Sequence, residues 1–222
     1  MTRAVVKVGG AVADASAAAV LALAGEHDEL LVVHGAGPQI SLEMERAGIP
    51  VEFVDGRRVT SPAGLELVRR SLRRVNATLC AAIGPTAVGL LGDEIGLQAE
   101  RVPALGLVGT PLPSRPQAIL DAWQRGLTPV VAPLAEGPLN VNADEAAAAL
   151  AVGLAADRLL FLTDVDGLIL GGEVVERIGV DEAGALLARG ALEGGIVPKL
   201  GAAVAAARGG VAASIGRTAV VA

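Results

Sequence analysis

Leu31-Val32-Val33-His34-Gly35-Ala36-Gly37-Pro38-Gln39-Ile40 packs an apolar strand, a glycine-rich turn and the opening of a helix into ten residues. Leu30–His34 has the β-branched, continuous apolar character of a strand buried on both faces. Pro38 suits the first helical position, where its missing N–H costs nothing. Such a turn aims backbone N–H groups and the positive end of a helix dipole at one point, a setting for a phosphate or a developing oxyanion. The spacing is neither G-x-G-x-x-G nor G-x-x-x-x-G-K-[ST], so it licenses neither dinucleotide binding nor a P-loop nucleotidase.

The same alternation continues outward. Strand-like runs at Ala4–Val8, Thr128–Ala132, Arg158–Thr163 and Val211–Ile215 alternate with helix-length segments at Ala15–Ala24, Gln39–Ala47, Ala63–Ala82, Pro116–Arg125 and Ala143–Ala155. The helices carry start signals in Asp14, Pro38, Ser61-Pro62, Ser114 and Asn142, the last followed by Asp144 and Glu145 in the first turn. The pattern predicts an α/β fold, a three-layer αβα sandwich around a mainly parallel twisted sheet. Between Pro85 and Pro113, glycines at 89, 92, 96, 106 and 109 break the pattern, which predicts hairpin or irregular structure projecting from the sheet. Ala135-Glu136-Gly137-Pro138 reads as a joint between an N-terminal lobe, 1–134, and a C-terminal lobe, 135–222, that share one continuous sheet.

Composition bounds the function. A 222-residue chain with 52% hydrophobic and 19% charged residues has the material for a large core and is not disordered. A mean hydropathy of +0.56 is high. It is spread between charges, and no apolar run reaches the roughly 18 to 20 residues of a membrane span, so no membrane partner is expected. Lys and Arg total 18 against 24 Asp and Glu, and aromatics make up 1%, which excludes the cationic and stacking surface that nucleic acid requires. One cysteine, Cys80, and an N-terminus without a leader pattern predict a reducing, cytoplasmic setting.

Four places bring glycine or charge to the carboxyl end of a predicted strand, where open α/β sheets bind ligands. Lys7 interrupts an apolar strand and precedes Gly9 and Gly10. An ammonium there needs a partner or a ligand. His34 ends the second strand. With no Cys/His cluster nearby in sequence, it reads as a hydrogen-bonded structural histidine rather than a metal ligand. Asn140, Asn142 and Asp144 alternate, so extended backbone would point all three one way. Equally, Asn142 could cap the helix, Asp144 could complement its dipole, and Asn140 could be a loop residue. Asp164-Val165-Asp166-Gly167 follows a strand, and Gly194-Gly195-Ile196-Val197-Pro198-Lys199 opens an Ala-rich helix. Read alone, these are a turn and a solvated lysine. Together, two lysines, two glycine-rich anion sites and a carboxylate are what phosphoryl transfer needs.

Six ordered blocks carry a resemblance: Lys7-Val-Gly-Gly10, His34-Gly-Ala-Gly-Pro38, Phe53-Val-Asp-Gly-Arg-Arg-Val-Thr60, Leu139-Asn-Val-Asn-Ala-Asp144, Leu162-Thr-Asp-Val-Asp-Gly-Leu168 and Gly194-Gly-Ile-Val-Pro-Lys199. The chain resembles the amino acid kinase family over nearly its whole length, and within it the acetylglutamate kinase branch. The resemblance implies the amino acid kinase fold, ATP with Mg²⁺ held through the nucleotide phosphates, and transfer to the γ-carboxylate of N-acetyl-L-glutamate in arginine biosynthesis. It assigns neutralisation of the transferring group to Lys7 and Lys199, and orientation of the lysines to Asp144. The backbone of Gly10 and Ala36 cradles the transferred oxygens, and Gly9, Gly35 and Gly37 shape the turns. Arg58, Asn140 and Asn142 hold the substrate. Lys7, Gly9, Gly10 and Lys199, with Asp164, Val165, Asp166, Gly167 and Leu168, line the nucleotide site. No protein metal ligand is implied.

The chain departs from the family pattern in three ways. Ala36 stands where the family turn has a glycine, and is expected to keep a negative φ. Ser214-Ile-Gly-Arg-Thr218 joins two short apolar runs where the family carries a longer nucleotide-side segment. The first strand begins by Arg3, without the N-terminal helix of arginine-inhibited members, so a homodimer without arginine feedback is expected. Two alternatives stay open. One is a kinase for aminoadipate or glutamate linked to a carrier protein, served by Arg57, Arg69, Arg70, Arg73 and Arg74. The other is a non-catalytic amino-acid-binding regulator.

Overall fold

A computed structural model describes residues 1–9, 13–163 and 165–222. Gly10 and Asp164, both expected at the site, lie outside the described residues.

The chain begins with β1 (Arg3–Val8), α1 (Ala13–Glu26), β2 (Glu29–His34) and α2 (Gly37–Arg46), then makes the hairpin β3 (Phe53–Val54) and β4 (Arg57–Arg58). The long α3 (Pro62–Ile83) leads to β5 (Ala87–Leu91), α4 (Gly92–Ile95), β6 (Ala99–Arg101), β7 (Val108–Pro111) and α5 (Gln117–Gln124). Next come β8 (Thr128–Ala132), β9 (Leu134–Ala135), β10 (Leu139–Val141), α6 (Ala143–Gly153) and β11 (Arg158–Phe161). The last part holds β12 (Ile169–Leu170), β13 (Glu173–Val174), β14 (Arg177–Gly179), α7 (Val180–Ala188), α8 (Ile196–Arg208), β15 (Ala212–Ile215) and β16 (Thr218–Val221).

The main sheet has eight strands in the order β14-β16-β15-β11-β1-β2-β8-β5, parallel except for the β15–β16 pair. Alternate residues of its central strands feed two cores. Val5, Leu31, Val33 and Val131 pack with α5, α6, α7 and α8. Val6, Leu30, Val32 and Val130 pack with α1 and α3. Both faces are covered, which is why these strands read as unbroken apolar runs. The expected three-layer αβα arrangement is the one observed.

α3 and α6 start where their caps dictate, whereas α1 already begins at Ala13 and α5 starts after Pro116 without a side-chain cap, Ser114 Oγ instead accepting from Gln98 N–H and donating to Leu112 O. Ser61 Oγ accepts from Gly64 N–H at 3.1 Å with Pro62 just inside α3, and Asn142 Oδ1 accepts from both Asp144 N–H and Glu145 N–H at the start of α6. The stretch between Pro85 and Pro113 needs correction. Its first part, β5, is an edge strand of the main sheet beside β8, and only β6 and β7 leave to form a small sheet with β10 and β9. Gly89 looked like a break, but it makes room for the Asn76 side chain of α3, which occupies the place a Cβ would take. Residues 136–138 are the turn of the β9–β10 hairpin, with Gly137 at φ +103°.

Glycine-to-alanine substitution should have opposite signs in two helices. At Gly153 in α6 a Cβ would run into the backbone of Ser114, so Gly153→Ala should destabilise the protein by roughly 2–3 kcal/mol. At Gly201 in α8 nothing lies within 4 Å, and Gly201→Ala should stabilise by about 0.5–1 kcal/mol. Urea unfolding of the two variants checks both signs.

Candidate active site

The predicted residues gather at the carboxyl end of the central strands. Lys7 lies near the end of β1 and is 6% exposed, a position an ammonium tolerates only with a partner. That partner is Asp144 in the first turn of α6: Lys7 Nζ stands 2.9 Å from Oδ1. Lys199, one turn into α8, places Nζ 3.7 Å from Oδ2 of the same carboxylate and donates to Gly195 O at 3.3 Å. One buried carboxylate therefore lies between ammonium groups carried by the first strand and the last long helix. The N-terminal end of the α6 dipole favours its negative charge.

Beside Lys7, the turn after β2 delivers Gly35, Ala36 and Gly37. Gly35 N–H donates to Val8 O and ties the turn to β1. Ala36 has φ −147° and ψ 28°, the negative φ expected of it, and no side chain caps α2 there. His34 is fully buried beneath the turn. Its Nε2 accepts from Asn76 Nδ2 at 3.1 Å and its Nδ1 donates to Gly35 O at 3.2 Å, the pattern of a neutral imidazole. Burial first, and then the Lys7 charge, press its pKa down to about 4. It is structural, as the sequence suggests.

Arg58 on β4 is also buried, and burial lowers its pKa. It donates to Gly37 O at 3.1 Å and Ser41 Oγ at 2.9 Å, with the Phe53 ring 4.5 Å from its guanidinium carbon. Among the described residues no carboxylate stands within ion-pair distance of it. A buried guanidinium balanced only by neutral acceptors suits an anionic ligand. Asn140 Nδ2 donates to Thr60 Oγ1 at 3.0 Å, and Thr60 Oγ1 donates to Arg58 O at 2.7 Å, so one hydroxyl fixes the amide relative to the arginine strand.

These groups line a cavity of about 260 Å³ that includes Lys7, Gly35, Ala36, Gly37, Arg58, Asn140, Asn142 and Asp144. A second cavity of about 560 Å³ is walled by Thr163, Val165, Gly167, Leu168, Glu193 and Lys199, among others. The two approach each other at the Asp144–Lys199 pair. Gly9 and Asp166 line neither. The Asp166 carbonyl is instead taken by Arg217 N–H at 2.7 Å.

The structure adds pairings that sequence reading missed. Arg57 places Nε and Nη2 each 3.0 Å from Glu145 Oε1, and Asn142 Nδ2 donates to Gly56 O at 3.2 Å, so the β3–β4 hairpin is fastened to the start of α6. Burial raises the Glu145 pKa, opposed by Arg57. Glu145 reads in sequence only as a first-turn acid, and Arg57 lies 88 residues away. The α3 arginines, weighed as a basic docking surface, are matched by acids. Arg69 pairs with Asp93 and Glu94, Arg73 with Glu94, and Arg70 and Arg74 with Glu43. Among the described residues no group of three His, Cys, Asp or Glu side chains is placed to hold a metal ion.

The sequence profile of the amino acid kinase family matches residues 2–216. The chain belongs to the amino acid kinase family. Relatives include an acetylglutamate kinase of Rubrobacter xylanophilus, 42% identical across 97% of this chain and 88% of that protein. An acetylglutamate kinase of Nocardioides sp. is 44% identical across 82% of this chain, which spans 64% of that relative's length. Among solved structures, smu.665 of Streptococcus mutans superposes with a TM-score of 0.87 at 27% identity, covering 99% of this chain and 98% of that one. The N-acetylglutamate synthase of Neisseria gonorrhoeae complexed with coenzyme A and N-acetyl-glutamate gives a TM-score of 0.81 at 22% identity, over all of this chain and 59% of that one. At that identity the likeness is one of fold.

The neutral, buried His34 has a pH signature. Its folded pKa lies below the ordinary value of 6.5, so the unfolded chain takes up the proton first. Its contribution is complete above about pH 6.5 and is lost as pH falls towards 4, reaching roughly 2 kcal/mol by pH 5. Urea unfolding of wild type and His34→Gln at pH 7.5 and pH 5 should show the stability gap narrowing by about that amount.

Proposed function

We propose that the chain is an acetylglutamate kinase, which transfers the γ-phosphoryl group of ATP to the γ-carboxylate of N-acetyl-L-glutamate. The products are N-acetyl-L-glutamyl 5-phosphate and ADP, in a step of arginine biosynthesis. The observation that carries the reading is the Asp144 carboxylate between Lys7 and Lys199, where a cavity with an unbalanced buried arginine approaches a second cavity. The acceptor carboxylate is already ionised near neutral pH, so no general base is required. Catalysis is positioning and charge neutralisation.

In this reading the smaller cavity takes the acceptor. Arg58 forks onto its α-carboxylate, and Asn140, with Asn142 beside it, faces its amide. Lys7 and Lys199 neutralise the group in transit, Asp144 holds both ammonium groups in register, and the backbone of Ala36 cradles the transferred oxygens. Residues 1–134 supply most of the acceptor side, and Asn140, Asn142 and Asp144 complete it from beyond them. Residues 135–222 supply the nucleotide side through Val165, Gly167, Leu168 and Lys199. Mg²⁺, carried by the nucleotide phosphates and water, lowers the charge of the donor when bound. The reading includes a cytoplasmic homodimer, in keeping with an acidic chain holding a single cysteine. Among the described residues no helix is long and apolar enough to cross a membrane.

Each alternative loses one of its motives. The α3 arginines proposed for a carrier protein are matched by acids. Ala36, a motive for a non-catalytic regulator, sits at a negative φ in an intact turn.

Hydroxylamine trapping with ATP and Mg²⁺ should yield hydroxamate from N-acetylglutamate and none from glutamate, aspartate or aminoadipate. Folded protein that gives no hydroxamate with any of them overturns the assignment. Lys199→Ala should lower kcat by about 10²- to 10³-fold with the fold retained, as judged by circular dichroism. Arg58→Met should raise KM for N-acetylglutamate roughly 10- to 100-fold, the loss of a charged hydrogen-bonded contact, measured in the same assay.

A further inference from the structure

Val165, Gly167, Leu168 and Ile169 wall the 560 Å³ cavity, and among the described residues Ile169–Leu170 pairs with Glu173–Val174 in a two-stranded hairpin apart from the main sheet. Besides the bond from Val175 N–H to Leu168 O at 2.8 Å, this wall is braced by the turn between β15 and β16, packed behind it. Arg217 N–H donates to Asp166 O at 2.7 Å, and Leu168 N–H donates to Thr218 Oγ1 at 2.8 Å. The two surfaces interlock without spare volume. A Cβ on Gly216, whose φ is +52°, would meet Asp166 O at 2.5 Å, and one on Gly167 would meet Thr218 Oγ1 at 2.5 Å. Thr218 is fully buried and does not itself line the cavity. Its backbone is held in register opposite Ile215. Its hydroxyl therefore transmits the geometry of the main sheet to the Leu168 amide, a backbone donor in a buried setting that would otherwise be left unpaired.

We propose that Thr218 is a positioning residue for the phosphoryl donor, holding the Val165–Leu168 wall of the nucleotide cavity through the Leu168 N–H. This rests on the reading that the 560 Å³ cavity takes ATP. The short turn 216–217 is then a working part of the donor site, since it braces the loop that touches the nucleotide.

Thr218→Val keeps the shape and removes the hydroxyl, whereas Thr218→Ser keeps the hydroxyl. Thr218→Val should raise KM for ATP about tenfold while kcat and KM for N-acetylglutamate stay within twofold. Thr218→Ser should restore KM for ATP to within twofold of wild type. Hydrogen exchange of the peptide spanning residues 165–168 should quicken in Thr218→Val and not in Thr218→Ser. A hydroxyl that merely stabilised the fold would lower the melting temperature without separating the two KM values. Unchanged KM for ATP in Thr218→Val, or a parallel rise in both KM values, overturns the proposal alone. Wild-type protein that binds no non-hydrolysable ATP analogue in calorimetry overturns the reading of the cavity, and this proposal with it. Should Thr218→Val fail to fold, Gly216→Ala presses on the Asp166 carbonyl from the same turn and should give the same selective rise, its absence counting against the proposal.

Discussion

Everything at this site depends on one carboxylate with two claimants. Lys7 and Lys199 come from opposite ends of the chain, and in a poorly solvated cleft two ammonium groups repel each other strongly. Asp144 resolves the conflict, and its own burial is made tolerable by those lysines and by the α6 N-terminus. The arrangement constrains the fold: β1, α6 and α8 can shift relative to one another only by separating charges that water does not screen. Burying such a triad is a poor way to gain stability, because desolvation consumes most of the Coulombic gain. What it gives is register. The two cavities approach each other at a fixed pair of positive charges.

Much of this was legible in the sequence for local reasons. The central strands are continuous apolar runs because helices cover both sheet faces, and the caps of α3 and α6 stand where Ser61 and Asn142 announce them. The Asn140, Asn142 and Asp144 block admitted two readings, and parts of each hold, although Asn140, read as a loop residue in one, lies in β10. Asn142 caps α6, and the same cap orients the turn from which Asp144 reaches the lysines. Capping and function are not rivals when the helix start is itself the site.

What sequence could not supply were pairings between distant segments. Arg57 with Glu145, Thr60 with Asn140, and Thr218 with Leu168 each join residues separated by 50 or more positions, with nothing in either local pattern to announce the other. Glycine misled in the same way. Gly89 interrupts a strand pattern because a helix side chain approaches its backbone, and Gly153 lies in a helix because the Ser114 backbone crosses there. A glycine chosen for close approach looks in sequence like one chosen for a turn.

The arginines of α3 fall in two rows one helical turn apart, Arg69 with Arg73 and Arg70 with Arg74, one facing Asp93 and Glu94 of α4 and the other Glu43 of α2. At room temperature the pairs whose arginine is exposed, those of Arg70, Arg73 and Arg74, add little. The hydration that competes with them weakens on heating, because ordering water around charge carries an entropic penalty that grows with temperature. The ladder across α2, α3 and α4 is thus the part of this molecule whose relative contribution to holding these helices together rises as the protein warms, while hydrophobic burial levels off.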